Sequence, residues 1–291
     1  MLFRSLPDTA GMKNEFIIQR THRFTYDQTF RVAGGVLVEI GTGRGTAPYE
    51  LESAINEKTA GVVYLVSPFT SPPGILAFED VCEIAHRHGV PVVVDAASML
   101  PPRENLFKYV RMGADLVNFS GGKGIRGPQS TGILAGRKDL IRAAMLNSSP
   151  NQGVGRAAKT SKEEIVGLVT ALELFLAEDE EAEMNRYREV CTSIVDAVRD
   201  IPGIRAVVEQ DGVNRVLPHA VIYFEPAWDG SSGHTIQVAL AQGEPHIYVQ
   251  QGAHQGGYFD EIAIDPINLQ PGDEEIIATR LREELTKQRS L

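Results

Sequence analysis

Short apolar runs, separated by longer helical patterns, set the texture of the first half of the chain. Phe16-Ile17-Ile18, Val36-Leu37-Val38, Val62-Val63-Tyr64-Leu65-Val66, Val92-Val93-Val94 and Leu116-Val117-Asn118-Phe119 are short and β-branched, and Gly, Pro or Asp bounds most of them. They read as strands. Because these runs are nearly continuous in apolar residues, both faces should be buried, which predicts a mainly parallel sheet covered by helices. One covering helix is predicted over 77–88, where Phe78, Val81, Cys82 and Ala85 form a stripe and Gly89 supplies the stop.

The pattern changes further along. Ser161 and Glu164 have the spacing of a capping box, and Ile165, Leu168, Val169, Leu172, Phe175 and Leu176 make one apolar helical face. A second helix is predicted over 183–199, ending before Ile201-Pro202-Gly203. Beyond it, 204–208, 220–224 and 261–264 read as strands, with a short helix over 235–241 and a closing helix over 273–285. The expected architecture is an α/β large domain over 1–180 and a smaller α+β domain over 181–291, and a length of 291 residues can fill two cores.

Composition narrows the class. With 43% hydrophobic and 23% charged residues the chain reads as a globular enzyme rather than a disordered segment. No apolar run reaches the roughly 20 residues needed to span a bilayer, so no membrane partner is expected. Met1-Leu2-Phe3-Arg4-Ser5 lacks a signal-peptide pattern, and Cys82 and Cys191 match no zinc or redox spacing. A cytoplasmic protein with two small core cysteines is the reading. The net charge of −10 disfavours nucleic acid as a partner. The run Glu178-Asp179-Glu180-Glu181-Ala182-Glu183 reads as a solvated helix face or a junction. His86 and His88, at i and i+2, cannot share a helix face, and His246 and His254 have no third ligand at zinc spacing. No metal site is expected. Trp228 reads as a loop anchor.

Two strand ends carry candidate chemistry. Val92-Val93-Val94-Asp95 puts a carboxylate at the carboxyl edge of a buried strand. Ser120-Gly121-Gly122-Lys123-Gly124-Ile125-Arg126-Gly127-Pro128 follows another strand. Ligands of open α/β sheets sit outside the carboxyl ends of strands, so Asp95 and Lys123 can face one crevice. Pyridoxal phosphate needs those two residue types: a lysine to form a Schiff base and shuttle the α-proton, and a carboxylate to keep the ring nitrogen protonated. Ser120 can donate a hydrogen bond to the phosphate, and the glycines let the backbone pass close by. Ser-x-x-Lys is also the nucleophile motif of serine β-lactamases, where it opens a helix. Gly121 and Gly122 are poor helix formers, and the companion Ser-Asp-Asn and Lys-Thr-Gly motifs are absent, so that reading is rejected.

Taken together, Asp95-Ala96-Ala97-Ser98, the spacing to Lys123, and Ser120-Gly-Gly-Lys123-x-x-Gly127-Pro128-x-x-x-Gly132-Ile133-Leu134 resemble the fold-type-I pyridoxal-phosphate enzymes. More narrowly, the chain resembles the selenocysteine synthase-like family, which contains seryl-tRNA selenium transferase and the D-glucosaminate-6-phosphate ammonia-lyase group. Val38-Glu39-Ile40-Gly41, Gly113-Ala114-Asp115-Leu116 and Asn268-Leu269-Gln270-Pro271-Gly272 belong to the same resemblance.

The resemblance implies Asp95 on the pyridine nitrogen, Lys123 as the Schiff-base lysine, Ser98 near the ring hydroxyl and Ser120 near the phosphate. Arg156 and Lys159 align with positions that hold an anionic substrate group, and His22 and Arg23, after a strand end, are candidates to line the same crevice. The implied reaction is α,β-elimination on a small anionic, hydroxylated amino acid, phosphorylated or not, by a homodimer or higher homo-oligomer. β-Replacement on seryl-tRNA is the alternative, and a catalytically silent fragment that binds only cofactor or partner subunits is the rival of another class. Leu6-Pro7-Asp8 enters the family pattern midway, past the Gly/Ala/Ser-rich loop that holds the cofactor phosphate. A chain shortened at its N-terminus is therefore the expectation.

Overall fold

The computed structural model describes residues 5–67, 74–211, 216–251 and 261–287. The chain divides into two compact units, Met1–Ala177 and Glu178–Leu291. The division lies just ahead of the expected 180/181 boundary, because the acidic run opens a helix of the second unit. The Asp179 side chain caps that helix, accepting a hydrogen bond from Ala182 N–H at 3.1 Å.

The N-terminal unit runs β1 (Glu15–Gln19), α1 (Gln28–Val32), β2 (Val36–Ile40), α2 (Pro48–Ala54), β3 (Thr59–Leu65), α3 (Phe78–Arg87), β4 (Val92–Asp95), α4 (Asn105–Arg111), β5 (Leu116–Ser120), β6 (Gly132–Gly136), α5 (Lys138–Asn147) and α6 (Lys162–Ala177). The six strands form one sheet in the order β2-β1-β3-β4-β5-β6. All neighbours are parallel except β5 and β6, which pair antiparallel. Successive strand residues face opposite sides, so the burial of both Val62 and Val63 on β3 means that both faces of the sheet centre are covered. α3 contributes Phe78, Val81, Cys82, Ile84 and Ala85 to this packing, and Gly89 ends its turn at φ +65°.

At the amino end of β5, Asp115 joins three elements. Its buried carboxylate accepts hydrogen bonds from Val92 N–H (2.8 Å), from the Arg137 guanidinium (3.0 Å), and shares one with His86 Nε2 (2.8 Å). β4, α3 and the end of β6 are thereby locked to one register.

The capping box at the start of α6 is present: Glu164 N–H donates to Ser161 Oγ at 3.1 Å and Ser161 N–H to Glu164 Oε2 at 2.7 Å. The packed face differs from expectation. Leu168, Ala171 and Phe175 form the inward stripe, whereas Ile165, Val169 and Leu176 are exposed. An apolar helix that turns one stripe inward leaves its other apolar positions outside. β6, α1, α2, α4 and α5 lie outside the elements predicted: β6 is glycine-bounded, and α1 and α5 have no fully buried residue to generate a core stripe.

The C-terminal unit holds α7 (Glu180–Asp196), β7 (Ile204–Glu209), β8 (His219–Phe224), α8 (Gly233–Gln242), β9 (Gln250–Gln251), β10 (Glu261–Ile264) and α9 (Asp273–Thr286). Its sheet is antiparallel throughout, ordered β7-β8-β10-β9. Ile194, Val198, Ile222, Ile236, Ile262 and Leu281 centre a core between that sheet and the helices. Trp228 anchors the loop after β8, its indole donating to Ser231 O at 2.8 Å and its ring packing on Phe224. Among the described residues no helix is long and apolar enough to cross a membrane.

Candidate active site

The carboxyl ends of β4 and β5 lie side by side, with Asp95 in register opposite Asn118. Side chains at paired positions of parallel strands share a face, so the two reach each other directly. Asp95 Oδ1 accepts hydrogen bonds from Asn118 Nδ2 and from Ala97 N–H, both at 3.0 Å. The Ala97 bond is an Asx turn, which ends the strand at this residue. Asp95 Oδ2 accepts none among the described residues. Two main-chain bonds tie the segments that leave the strands, Ala96 N–H to Asn118 O at 3.0 Å and Ser120 N–H to Ala97 O at 3.3 Å.

Lys123 sits in the turn from β5 to β6. Gly121 N–H donates to Thr131 O (2.9 Å), Gly127 N–H to Gly121 O (2.8 Å) and Arg126 N–H to Lys123 O (2.8 Å). The Gln129 amide donates to Gly122 O at 2.8 Å. Two glycines here are dictated by space: a Cβ on Gly124 would lie 1.9 Å from Leu100 O, and one on Gly121 2.1 Å from Thr131 Oγ1. The turn is therefore pressed against the segment that follows β4. Arg126 adopts φ +60°, a left-handed conformation costing a non-glycine residue about 1–2 kcal/mol, which the surrounding bonds sustain. The Lys123 side chain is exposed and makes no hydrogen bond or ion pair among the described residues.

Ser120 is half-buried at the end of β5 and Ser98 is exposed in the segment after Asp95. The structure thus brings Asp95, Ser98, Ser120 and Lys123 to one end of two adjacent strands. Arg156 and Lys159 lie in the exposed segment before α6. The Arg156 guanidinium donates to Pro150 O at 2.6 Å, and Lys159 has no partner among the described residues.

His22 and Arg23 differ from the expectation that they line the crevice. His22 is 0% exposed, accepts a hydrogen bond from Leu65 N–H at 3.3 Å through Nδ1, and stacks edge-on against Tyr64 with ring centroids 4.6 Å apart. It is a core residue. The Arg23 guanidinium is committed to Asp27 (2.5 Å) and Glu39 (2.8 Å). Three of the histidines set aside as metal ligands have other partners. His86 and His88 turn to different carboxylates, Asp115 and Glu52, and His246 Nδ1 bonds Ala241 O; His254 lies outside the described residues. Burial pushes both the Cys82 and Cys191 thiols up to about 12, which leaves them protonated and inert at neutral pH. Asn118 and Gln129 were missed, since their roles depend on strand register and turn closure.

Chemically, the strand ends offer a carboxylate with one oxygen already committed, an amine without a partner among the described residues and two hydroxyls. That set fits pyridoxal phosphate, which presents a basic ring nitrogen to a carboxylate, an aldehyde to an amine and acceptor oxygens to hydroxyls.

Fold and donor set together define the fold-type-I pyridoxal-phosphate class. The structure superimposes on that of D-glucosaminate-6-phosphate ammonia-lyase with TM-score 0.76 and 32% identity, covering 96% of this chain and 73% of that one. A NifS-like protein shares the fold at TM-score 0.55 and 18% identity, over 95% of this chain and 76% of that one. Residues 9–200 match the family model described as L-seryl-tRNA selenium transferase, and the chain belongs to that family.

Its relatives differ in reaction. D-glucosaminate-6-phosphate ammonia lyase of Salmonella typhimurium is 33% identical over 96% of this chain and 72% of its own length. The 5'-C-glycyluridine monooxygenase-decarboxylase of a Streptomyces species is 32% identical, over 96% of this chain and 68% of its own length. L-seryl-tRNA(Sec) selenium transferase of Aquifex aeolicus is 28% identical over 70% of this chain, which spans only 50% of that protein.

Proposed function

We propose that the chain is a pyridoxal-phosphate enzyme of ammonia-lyase type, acting by α,β-elimination on a small, hydroxylated and phosphorylated amino acid. The observation that carries this is that a half-committed Asp95 carboxylate and a Lys123 amine, unpartnered among the described residues, follow the ends of adjacent strands. Support for the lyase reaction comes from the 33% identity with D-glucosaminate-6-phosphate ammonia lyase across nearly the whole chain.

When bound, the cofactor supplies an electron sink for a carbanion at the substrate α-carbon. Lys123 is the covalent attachment point, and its amine is the base that takes the proton from that carbon. Asp95 holds a proton at the ring nitrogen through Oδ2. Ser98 and Ser120 donate to the ring hydroxyl and the phosphate. Arg156 and Lys159 hold the anionic end of the substrate. Net loss of water across Cα and Cβ, followed by hydrolysis, gives ammonia and a keto acid.

A second reading, β-replacement on seryl-tRNA, is favoured by the family model itself. The net charge of −10 argues against it, because a tRNA partner needs a basic surface. We also propose a cytoplasmic homo-oligomer. Its support is the exposed apolar side of α6, where Val166 is 65% and Leu174 68% exposed.

The test is loading with pyridoxal phosphate, borohydride reduction and peptide mapping, followed by ammonia and keto-acid assays with phosphorylated amino-sugar acids. Lys123→Ala should abolish the reduced adduct, and Asp95→Asn should keep the adduct but lose turnover. An adduct on Lys138 or Lys159 would refute the assignment, and salt-sensitive tRNA binding in place of turnover would favour the transferase.

A further inference from the structure

We infer that Asn118 is a positioning residue for the reaction, setting which oxygen of Asp95 is presented to the cofactor; this rests on the proposed role of Asp95. Oδ1 receives two donors at 3.0 Å, Asn118 Nδ2 from the neighbouring strand and Ala97 N–H from the Asx turn. Two donors on one oxygen, arriving from different segments, fix rotation about the Cβ–Cγ bond and leave Oδ2 as the oxygen for an incoming N–H. The Ala97 donor is main chain and persists whatever side chain stands there. Control of the carboxylate by a side chain therefore resides in Asn118.

The backbone explains how the amide holds its place. Asn118 lies in register with Asp95, and Asn118 O accepts from Ala96 N–H at 3.0 Å, so the main chain of one residue holds the Asp95–Ala96 peptide while its side chain holds the Asp95 carboxylate. The buried neighbours Val117 and Phe119 fix the strand on either side. An asparagine rather than an aspartate is needed, since only the amide donates to a carboxylate at neutral pH.

The experiment uses the full chain loaded with pyridoxal phosphate. Asn118→Leu removes the donor at similar volume, and Asn118→Asp replaces it with a second carboxylate. Cofactor affinity by visible titration should fall about tenfold in Asn118→Leu, equivalent to ~1.4 kcal/mol. The pH midpoint of the bound cofactor's visible absorbance should move by roughly half a unit or more, a readout of charge at the ring rather than of folding. Asn118→Asp should lose more affinity at neutral pH and regain part of it on acidification.

The Asp95→Asn background separates positioning from general packing. A residue acting through Asp95 has little further effect there, because the coupled effects do not add. The inference is overturned if both variants bind cofactor within twofold of the parent with the same midpoint, or if Asn118→Leu has its full effect without Asp95. Should Asn118→Leu fail to fold, Asn118→Asp and its cycle decide alone. A parent chain that takes up no cofactor would overturn the proposed function itself, and that result is read before any variant is compared.

Discussion

Replacing Asp115 with alanine should lower the stability of the N-terminal unit by about 3 kcal/mol. The figure follows from its partners. The side chain is only 8% exposed, and truncation would leave Val92 N–H without an acceptor inside the sheet, at roughly 1–3 kcal/mol. His86 and Arg137 are half exposed and screened by solvent, so losing those two ion pairs adds little to that cost. For a unit of this size, each kcal/mol lowers the melting temperature by roughly 2–4 °C, giving a drop of about 6–12 °C.

Asp115→Asn retains an acceptor for Val92 N–H and should lose about a third as much. Burial by itself raises the Asp115 pKa, but hydrogen bonds from Val92, His86 and Arg137 outweigh it and hold the carboxyl below its ordinary value. A depressed folded value stabilises above the unfolded pKa of about 3.9, and the contribution is lost as pH falls through the folded value. Melting followed by circular dichroism should therefore show a gap between parent and Asp115→Ala that is full near neutrality and narrows below about pH 4. A shift under about 1 °C at neutral pH, or a gap constant down to pH 3, would refute the reasoning. Because Asp115 ties β5 to β4, the variant should also weaken cofactor loading.

Other outcomes follow from single features. Gly124→Ala forces a Cβ against Leu100 O, so borohydride labelling of Lys123 should drop several-fold while the C-terminal unit melts as before; unchanged labelling would contradict the close packing. Neither Cys82 nor Cys191 should react quickly with an aromatic disulfide at pH 8 until denaturant is added, which a colorimetric thiol count checks. The Arg282 guanidinium hydrogen-bonds both oxygens of Asp200 and holds its carboxyl down at about 2. Its contribution is thus full above about pH 4 and lost as pH falls through 2, and Asp200→Asn should remove a salt-screened part of acid stability in melts at low and high ionic strength. Val166→Glu with Leu174→Glu should shift an oligomer toward monomer in light scattering; an unchanged mass would exclude this face of α6 as the contact.

Much of the N-terminal unit was legible in the chain because its signals are local. Strand residues buried on both faces leave unbroken apolar runs, the stop at Gly89 is a backbone preference, and the Ser161–Glu164 box is a contact between residues three apart. The carboxylate and lysine stood out for the same reason, each following its own apolar strand. Other features depended on which strands pair and in what register. The antiparallel β6 has no strong local signature, and only its pairing with β5 closes the turn that holds Lys123. Asn118 looks like a polar blemish in a strand until register sets it beside Asp95. His22 and Arg23 are adjacent in sequence, yet one is sealed beside Tyr64 and the other drawn to Asp27 and Glu39, because burial depends on what packs across the gap. Local chemistry is written along the chain, while the partner of each polar group is chosen by residues distant in sequence, and that choice exists only once the sheet has formed.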